Sequence, residues 1–230
     1  LSLAAYADAS GDKNPLHRHP AIAALAGFSG PIVHGMWTAS FAAHRIARLA
    51  ADGDTSRVTK LAARFLAPVA PGAELVVVVE AKARVRGALE VCATVEADGV
   101  LCAEVDARVA PPSTAYVFPG QGVQHAGMGM ATVAASPAAH AVWQEADRGC
   151  RERHGFSLLD IVKDNPRELW VRGERLVHPD GVLFLTQFTQ VALAVMAVAE
   201  VAALREQGVF VEGARFAGHS LGEYSALAAV

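Results

Sequence analysis

The sequence has few cysteines and little net charge, and both shortages exclude kinds of protein. It holds 3 cysteines among 230 residues, and its 20 basic and 23 acidic residues leave a net charge of −3. Cys92 and Cys102 could meet across a hairpin, but thiols so few and odd in number are typical of a reducing compartment. We therefore expect free thiols and a cytoplasmic protein. The nearly balanced charge gives no electrostatic reason to expect nucleic acid or an anionic membrane as a partner.

Long uninterrupted apolar runs are also lacking. The most apolar run, 182–204, is broken by Gln187, Gln190 and Glu200. A membrane-spanning helix should be nearly free of such groups, so we interpret this run as a buried helix and expect no membrane span. The sequence starts without Met or a signal peptide and stops inside a helical pattern. We expect both ends to be cut from a longer chain.

The first half of the chain changes its hydrophobic period once. Helical patterns with Gly and Pro punctuation come first and include a predicted helix over 36–49. From residue 57 to 109 the period is two, and Asp98-Gly99 marks a tight hairpin turn. The β-branched run 75–79 predicts a strand buried on both faces. Helices followed by an antiparallel meander predict an α+β domain in which one sheet wraps one central helix.

A stiff proline-rich stretch, 111–115, is the best candidate for a linker between two domains. It would separate a first domain, 1–110, from a second, 116–230. The second begins with a predicted strand over 115–118. Its other predicted elements are helices over 136–149 and 183–207 and a strand over 214–217. This alternation predicts an incomplete α/β domain.

One short stretch of the first domain carries acid–base chemistry. Residues 10–17 read Ser-Gly-Asp-Lys-Asn-Pro-Leu-His, so a stiff turn places Asp12 five residues before His17. Such a pair can move a proton and a hydroxyl on one substrate. The alternative is structural, with Asp12 holding the turn and His17 satisfied in a half-buried place. A zinc site from His17, His19 and His34 lacks a nearby fourth ligand, so we expect no metal.

Together with Tyr6, Phe28 and the segment 30–36, Gly-Pro-Ile-Val-His-Gly-Met, this stretch resembles the MaoC-like (R)-specific enoyl hydratase/dehydratase family. The resemblance covers about 1–109 and implies a hot-dog fold whose N-terminal strand is missing here. It also implies a paired hot-dog fold, either another copy or an upstream segment, that supplies the acyl tunnel.

The same resemblance implies roles for single residues. Asp12 and His17 would be the catalytic pair, Asn14 would orient them, and the backbone N–H of Gly35 would hold the thioester oxygen. Independently, removing water from a 3-hydroxyacyl thioester needs a base, an acid and donors for an enolate-like oxygen. The N-terminus of a helix that begins near Met36 suits the last of these needs. Which of Asp12 and His17 is the acid stays open.

The second chemical motif is Gly-His-Ser-Leu-Gly at 218–222. Its glycines allow a strained strand-to-helix turn that projects Ser220. The short motif occurs by chance, but Phe-Pro-Gly-Gln-Gly at 118–122 strengthens it. Together the two motifs resemble the malonyl/acyl transferase family of fatty acid and polyketide synthases, from residue 116 to the end. The resemblance implies an α/β-hydrolase-like domain.

This resemblance makes Ser220 the nucleophile, acylated from coenzyme A and deacylated onto acyl carrier protein. The N–H groups of Gln121 and Leu221 would form the oxyanion hole, and Gln190 would support it. His219 is not the base, because neighbouring residues on such a turn diverge. The family's base and its carboxylate-binding arginine follow the serine motif further downstream. We therefore expect no useful transferase turnover from this chain alone.

The order of the two domains resembles a junction in type I fatty acid synthases of the fungal and actinobacterial kind. Trp143, the segment 155–162 and Asn165-Pro166 add to this resemblance, and the Ala- and Arg-rich composition favours the bacterial branch. It implies dehydration of (R)-3-hydroxyacyl thioesters to trans-2-enoyl thioesters and loading of malonyl or acyl groups.

The resemblance also implies partners. These are acyl carrier protein, malonyl- or acyl-CoA and the remaining domains of a homo-oligomeric synthase, with substrates carried on CoA or phosphopantetheine and no cofactor bound by this segment. One alternative, a polyketide synthase segment, is disfavoured because its His-x-x-x-Gly-x-x-x-x-Pro dehydratase signature is not found. A secreted serine hydrolase is disfavoured without a signal peptide. A catalytically silent thioester-binding or scaffolding segment stays open.

Overall fold

The computed structural model describes residues 3–230, so Leu1 and Ser2 of the predicted first domain lie outside the described residues. The chain divides into two compact units, one up to Pro112 and one from Ser113 onward. The predicted linker, 111–115, spans this point.

Unit 1 is a four-stranded antiparallel sheet with one long helix. Its elements are α1 (Leu3–Ser10), a 3-10 turn (Pro15–His17), α2 (Pro20–Leu25), α3 (Gly35–Ala50), a second 3-10 turn (Thr55–Arg57), β1 (Val58–Phe65), β2 (Leu75–Val85), β3 (Ala88–Ala97) and β4 (Val100–Val109). The strand order is β1-β4-β3-β2, and α3 contacts all four strands. Helix residues such as Ala42 and Ile46 are fully buried in this core. The predicted α+β arrangement, a sheet on one central helix, is confirmed.

The sheet turns where the sequence predicts a hairpin. Asp98 and Gly99 join β3 to β4 with φ of 47° and 79°. Positive φ at both central residues matches the right-handed twist of the flanking strands, and Gly adopts it at little cost. Arg86 and Gly87 make the equivalent turn between β2 and β3, with φ of 50° and 80°.

The prediction that 75–79 is buried on both faces is wrong. Burial alternates along β2, and Val76 and Val78 are each 50% exposed. The reason is that α3 packs against one face of this sheet, so alternate side chains of β2 point away from the core. A run of valines shows a preference for strand geometry but not how many layers cover the strand.

Unit 2 has a two-stranded parallel sheet and five helices among the described residues. Its elements are β5 (Ala115–Phe118), α4 (Met130–Ala135), α5 (Pro137–His154), α6 (Leu158–Asp164), β6 (Glu168–Val171), β7 (Glu174–Val177), a 3-10 turn (Val182–Phe184), α7 (Thr186–Glu206), β8 (Arg215–Gly218) and α8 (Leu221–Ala229). Strand β5 pairs with β8 in parallel, and β6 pairs with β7 as a separate hairpin. The predicted α/β alternation is present, whereas the β6–β7 hairpin was not predicted.

Helix α7 is the described helix whose length and composition would let it cross a membrane. That is weak support for a span, since a core helix of a globular protein passes the same test. Here α7 contacts α5 and α8, and Phe188, Ala192 and Leu193 belong to the core of the unit. The structure agrees with the interpretation of this run as a buried helix.

The carboxylate of Asp147, on α5, accepts hydrogen bonds that connect α5 to the start of α6. Asp147 accepts hydrogen bonds from Arg151 Nε at 2.7 Å, Ser157 Oγ at 2.8 Å and the Leu159 N–H at 3.0 Å. Burial by itself would raise the pKa of Asp147, but the three hydrogen bonds and the Arg151 charge outweigh it, so this pKa lies below its ordinary value. A depressed pKa means that the ionised carboxylate stabilises the folded state.

We expect Asp147→Asn to lower the free energy of unfolding at pH 7 by about 1–3 kcal/mol, because it removes charge-assisted hydrogen bonds at a nearly buried site. The parent holds this stabilisation above the unfolded-state pKa of about 3.9 and loses it as the pH falls through the lower folded-state pKa. The difference between the two proteins should therefore shrink as the pH falls below about 4. Urea unfolding followed by circular dichroism measures it. Glu145→Gln, at an exposed ion pair on the same helix, should change little, and a pH-independent difference would contradict the account.

Candidate active sites

The predicted acid–base pair lies on the turn between α1 and α2. Asp12 Oδ1 accepts a hydrogen bond from the Asn14 N–H at 3.1 Å, and Asn14 Oδ1 accepts one from the Leu16 N–H at 3.0 Å. The second bond caps the 3-10 turn that ends at His17. Asn14 thus holds the Asp12 carboxylate with its backbone and the His17 turn with its side chain. This is a structural route by which Asn14 can orient both.

The His17 ring has a defined tautomer. Its side chain is almost buried, and its Nδ1 lies 2.8 Å from the carbonyl oxygen of Ile32. A carbonyl oxygen only accepts hydrogen bonds, so Nδ1 carries the proton. In the neutral ring Nε2 is then the unprotonated nitrogen, which is the one that can exchange a proton with a substrate.

A third side chain, that of His34, joins the pair. One carboxylate oxygen of Asp12 and one ring nitrogen from each of His17 and His34 all lie within 4.8 Å of one another. The rings of His17 and His34 are stacked, with centroids 3.8 Å apart and planes 26° apart. From the sequence, His34 was a possible zinc ligand and a member of the 30–36 segment, and no role beside Asp12 and His17 was predicted for it. Its place directly before Gly35 was the signal that could have indicated one.

The stacking of the His17 and His34 rings is unfavourable for joint binding of a metal ion. The lone pair of an imidazole nitrogen lies in the ring plane. Two nearly parallel planes therefore direct their lone pairs side by side, whereas tetrahedral ligands must converge on one point. His19, the third residue of the zinc hypothesis, is exposed and is not part of this cluster.

The backbone N–H of Gly35 is the group predicted to bind the thioester oxygen. Gly35 is the first residue of α3, so its N–H has no partner within the helix and lies at the positive end of the helix dipole. A Cβ added to Gly35 would lie only 3.1 Å from the Phe65 ring. The absence of a side chain therefore lets the aromatic ring pack directly on the helix start.

A cavity of about 340 Å³ has both His17 and Gly35 in its wall. Phe65 and Cys102 also line it, and burial raises the pKa of the Cys102 thiol, so this part of the wall is uncharged. Asp12 is exposed and does not line the cavity, but one of its carboxylate oxygens lies within 4.8 Å of a ring nitrogen of His17. The structure thus brings Asp12 close to His17, and it places His17 and Gly35 in the wall of one cavity.

The second site is the turn between β8 and α8. In the parallel pair, Phe118 of β5 lies opposite Gly218 of β8, so the turns that follow both strands meet at one edge of the sheet. Ser220 has φ of 54° and ψ of −120°, and α8 begins at the next residue. A non-glycine residue in this conformation is strained, as expected for a nucleophile held on a sharp strand-to-helix turn.

Crowding around this turn explains its glycines. A Cβ on Gly218 would lie 2.0 Å from the carbonyl carbon of Gly222, and one on Gly222 would lie 2.1 Å from the Phe118 carbonyl oxygen. A Cβ on Gly120 would lie 3.0 Å from the His219 carbonyl oxygen. Since these neighbours are backbone atoms, they cannot rotate away as a flexible side chain can.

The surroundings of Ser220 contain most of the predicted residues. Ser220, Leu221 and Gln190 line one cavity of about 550 Å³, to which α7 contributes Gln190. Gln121 does not line it but follows Gly120, where an added Cβ would lie 3.7 Å from Ser220 Cβ. The carbonyl of His219 accepts a hydrogen bond from the Gly222 N–H at 2.9 Å, so its backbone belongs to the turn.

Family models match both units. The acyl transferase domain model matches residues 115–230, and the MaoC like domain model matches residues 2–100. The chain belongs to the acyl transferase domain family through its second unit and carries a MaoC-like domain in its first. These matches confirm both resemblances predicted from the motifs.

Curated relatives match the whole chain with both domains in this order. The fatty acid synthase beta subunit pigK of Monascus ruber is 34% identical over 97% of this chain and 13% of its own length. The fatty acid synthase subunit beta of Aspergillus oryzae is 33% identical over 100% of this chain and 14% of its own length. The fatty acid synthase subunit beta of Saccharomyces cerevisiae is 34% identical over 98% of this chain and 13% of its own length. The chain therefore spans only 13% to 14% of the length of these relatives.

Solved structures resemble each unit separately. An (R)-hydratase from A. caviae involved in PHA biosynthesis is 33% identical, with a TM-score of 0.44, over 48% of this chain and 85% of its own. An acyl-carrier-protein-S-malonyltransferase from Bartonella henselae is 37% identical, with a TM-score of 0.40, over 51% of this chain and 33% of its own.

We expect Gly222→Ala to destabilise unit 2 by about 3 kcal/mol or more, because the new methyl group would overlap the Phe118 carbonyl and force the backbone to move. Gly149→Ala is the matched control, since Gly149 lies inside α5 with open space at its Cβ position. That control should stabilise the unit by about 0.5–1 kcal/mol. Thermal unfolding followed by circular dichroism compares the two, and equal effects would contradict the crowding argument.

Proposed function

We propose that unit 1 interconverts (R)-3-hydroxyacyl and trans-2-enoyl thioesters by removal or addition of water. The observation that carries the proposal is the meeting of Asp12, His17 and the N-terminal residue of α3, Gly35. These supply the two kinds of group that the reaction needs, which are proton-transfer groups and an unpaired backbone donor for the carbonyl oxygen.

The geometry assigns each step of the reaction to one of these groups. The Gly35 N–H binds the thioester oxygen, which acidifies the hydrogens on C2 and stabilises the enolate-like state. One member of the Asp12/His17 pair takes the C2 proton. The other gives a proton to the hydroxyl group on C3, so the C–O bond breaks and water leaves. Of the two His17 nitrogens, Nε2 serves here, because Nδ1 is bound to the Ile32 carbonyl.

Unit 2 is proposed to supply the nucleophile and the oxyanion donors of a malonyl or acyl transferase, and we expect no useful transferase turnover from this chain alone. Ser220 would attack the thioester carbonyl of an acyl-CoA, form a serine ester and release the CoA thiol. The N–H groups of Leu221 and Gln121 would stabilise the oxyanion, and Gln190 would support the same pocket. Acyl carrier protein would then take the acyl group through the thiol of its phosphopantetheine.

Both activities are proposed to serve a multifunctional fatty acid synthase, as the names of the relatives suggest. Its substrates would travel on CoA and acyl carrier protein, with no further cofactor held by this segment. The remaining synthase domains would be its partners, and the parent would be a homo-oligomer. The free thiols of all three cysteines fit a cytoplasmic location.

The test is hydration of crotonyl-CoA by the chain, followed as loss of the enoyl absorbance. We expect Asp12→Asn and His17→Gln each to lower kcat by about 10²–10⁴-fold, since each removes a proton-transfer group. Asp8→Asn, at an exposed carboxylate on α1, is the matched control and should keep the parent rate.

Two results would count against this function. Full activity in either site variant would show that the pair is not catalytic. An inactive parent with an intact circular dichroism spectrum would favour the silent thioester-binding alternative.

A further inference from the structure

Two segments of unit 1 hold each other through a reciprocal pair of hydrogen bonds. His17, on the catalytic turn, donates from Nδ1 to the carbonyl of Ile32 at 2.8 Å. His34, on the segment that leads into α3, lies with Nε2 3.1 Å from the carbonyl oxygen of Asp12. Since a carbonyl oxygen only accepts, His34 Nε2 carries a proton too. We call this arrangement of His17 and His34 the histidine clasp.

His34 is buried in a way that packing alone does not explain. It is 1% exposed, and its ring lies between the His17 ring at 3.8 Å and the Tyr6 ring at 4.9 Å, centroid to centroid. Its Nδ1 is buried without a hydrogen-bond partner among the described residues. A buried acceptor left unpaired costs about 1–3 kcal/mol. Phenylalanine would avoid that cost but would lose the hydrogen bond from Nε2 to the Asp12 carbonyl, so the two effects on stability oppose each other and a net gain in stability does not explain histidine here.

The backbone of His34 fixes the other half of the site. His34 is the N-cap residue of α3, and its carbonyl accepts from the N–H groups of Trp37 at 3.0 Å and Thr38 at 3.3 Å. The next residue, Gly35, carries the N–H proposed to bind the thioester oxygen. One residue therefore joins the start of the helix to the turn that carries Asp12.

We propose that His34 is a positioning residue that sets the distance between the Asp12/His17 pair and the Gly35 N–H. It does not act on the substrate itself, because Nε2 is bound to a backbone carbonyl and Nδ1 is buried. This inference rests on the proposed hydratase function. It identifies His34 as the residue that keeps the acid–base pair and the oxygen-binding N–H at a fixed distance when substrate binds.

The test uses two variants that separate the ring from its donor. His34→Phe keeps the stacking on His17 and loses the hydrogen bond to Asp12, whereas His34→Gln keeps an N–H donor and loses the ring. With crotonyl-CoA as substrate, we expect His34→Phe to lower kcat by about 10–100-fold, since misplacement by about 1 Å can cost that much. Its KM should stay within about threefold of the parent value, because substrate contacts are kept.

Stability is the readout that distinguishes positioning from simple packing. We expect His34→Phe to melt close to the temperature of the parent, because removal of the unpaired buried Nδ1 offsets the loss of the hydrogen bond to the Asp12 carbonyl. His34→Gln should recover part of the lost kcat although it packs less well. His44→Gln, at an exposed histidine on α3, is the control and should match the parent in both measurements.

The outcomes separate this inference from the function on which it rests. An active parent with an unchanged kcat in His34→Phe would overturn the inference alone, as would a kcat loss that only follows a loss of folded protein. An inactive parent would overturn the proposed function. The clasp would then be tested by long-range proton–nitrogen NMR of the imidazoles, where we expect Nδ1–H for His17 and Nε2–H for His34. The opposite tautomer on either ring would contradict the histidine clasp.

Discussion

The first site depends on the packing of α3 against four strands. That packing buries the middle of the helix, through residues such as Ala42 and Ile46, and so fixes the position of its first residue, Gly35. The turn that carries Asp12 and His17 has little apolar surface of its own, since most of residues 10–16 are exposed. It is held instead by two hydrogen bonds, from His17 to the Ile32 carbonyl and from His34 to the Asp12 carbonyl. A hydrophobic core thus positions a polar turn through hydrogen bonds.

The second site depends on a different constraint, which is backbone crowding. The turn after β8 is so tight that a Cβ on Gly218 would overlap Gly222, and it lies so close to the end of β5 that a Cβ on Gly222 would overlap the Phe118 carbonyl. The same closeness holds Ser220 at positive φ at the start of α8. In both units a helix N-terminus therefore lies beside the side chain that we propose to react. Such an end offers unpaired N–H groups and a positive dipole to an oxygen that gains negative charge.

What the sequence predicted and what it missed follow from the range of each interaction. The Asp12–His17 turn and the serine motif are local, so spacing and glycine content predicted them. The link from His34 to the Asp12 carbonyl joins residues 22 apart and depends on tertiary packing, so no local pattern indicated it. The exposure of Val76 and Val78 depends on which face of the sheet α3 covers, and composition does not contain that information. The β6–β7 hairpin was missed because its four-residue strands begin with charged residues and, unlike β5 and β8, lead into no recognisable motif.

The central claim is that a preorganised turn adds water to one face of an enoyl thioester. The most direct measurement is the configuration at C3 of the 3-hydroxybutyryl thioester that the chain forms from crotonyl-CoA, determined by chiral chromatography. A fixed geometry of Asp12, His17 and Gly35 predicts a single enantiomer, and the resemblance of the 10–17 and 30–36 motifs to the MaoC-like (R)-specific family makes (R) the expected one. A racemic product would contradict delivery of water by a fixed turn, and an (S) product would contradict the (R)-specific function.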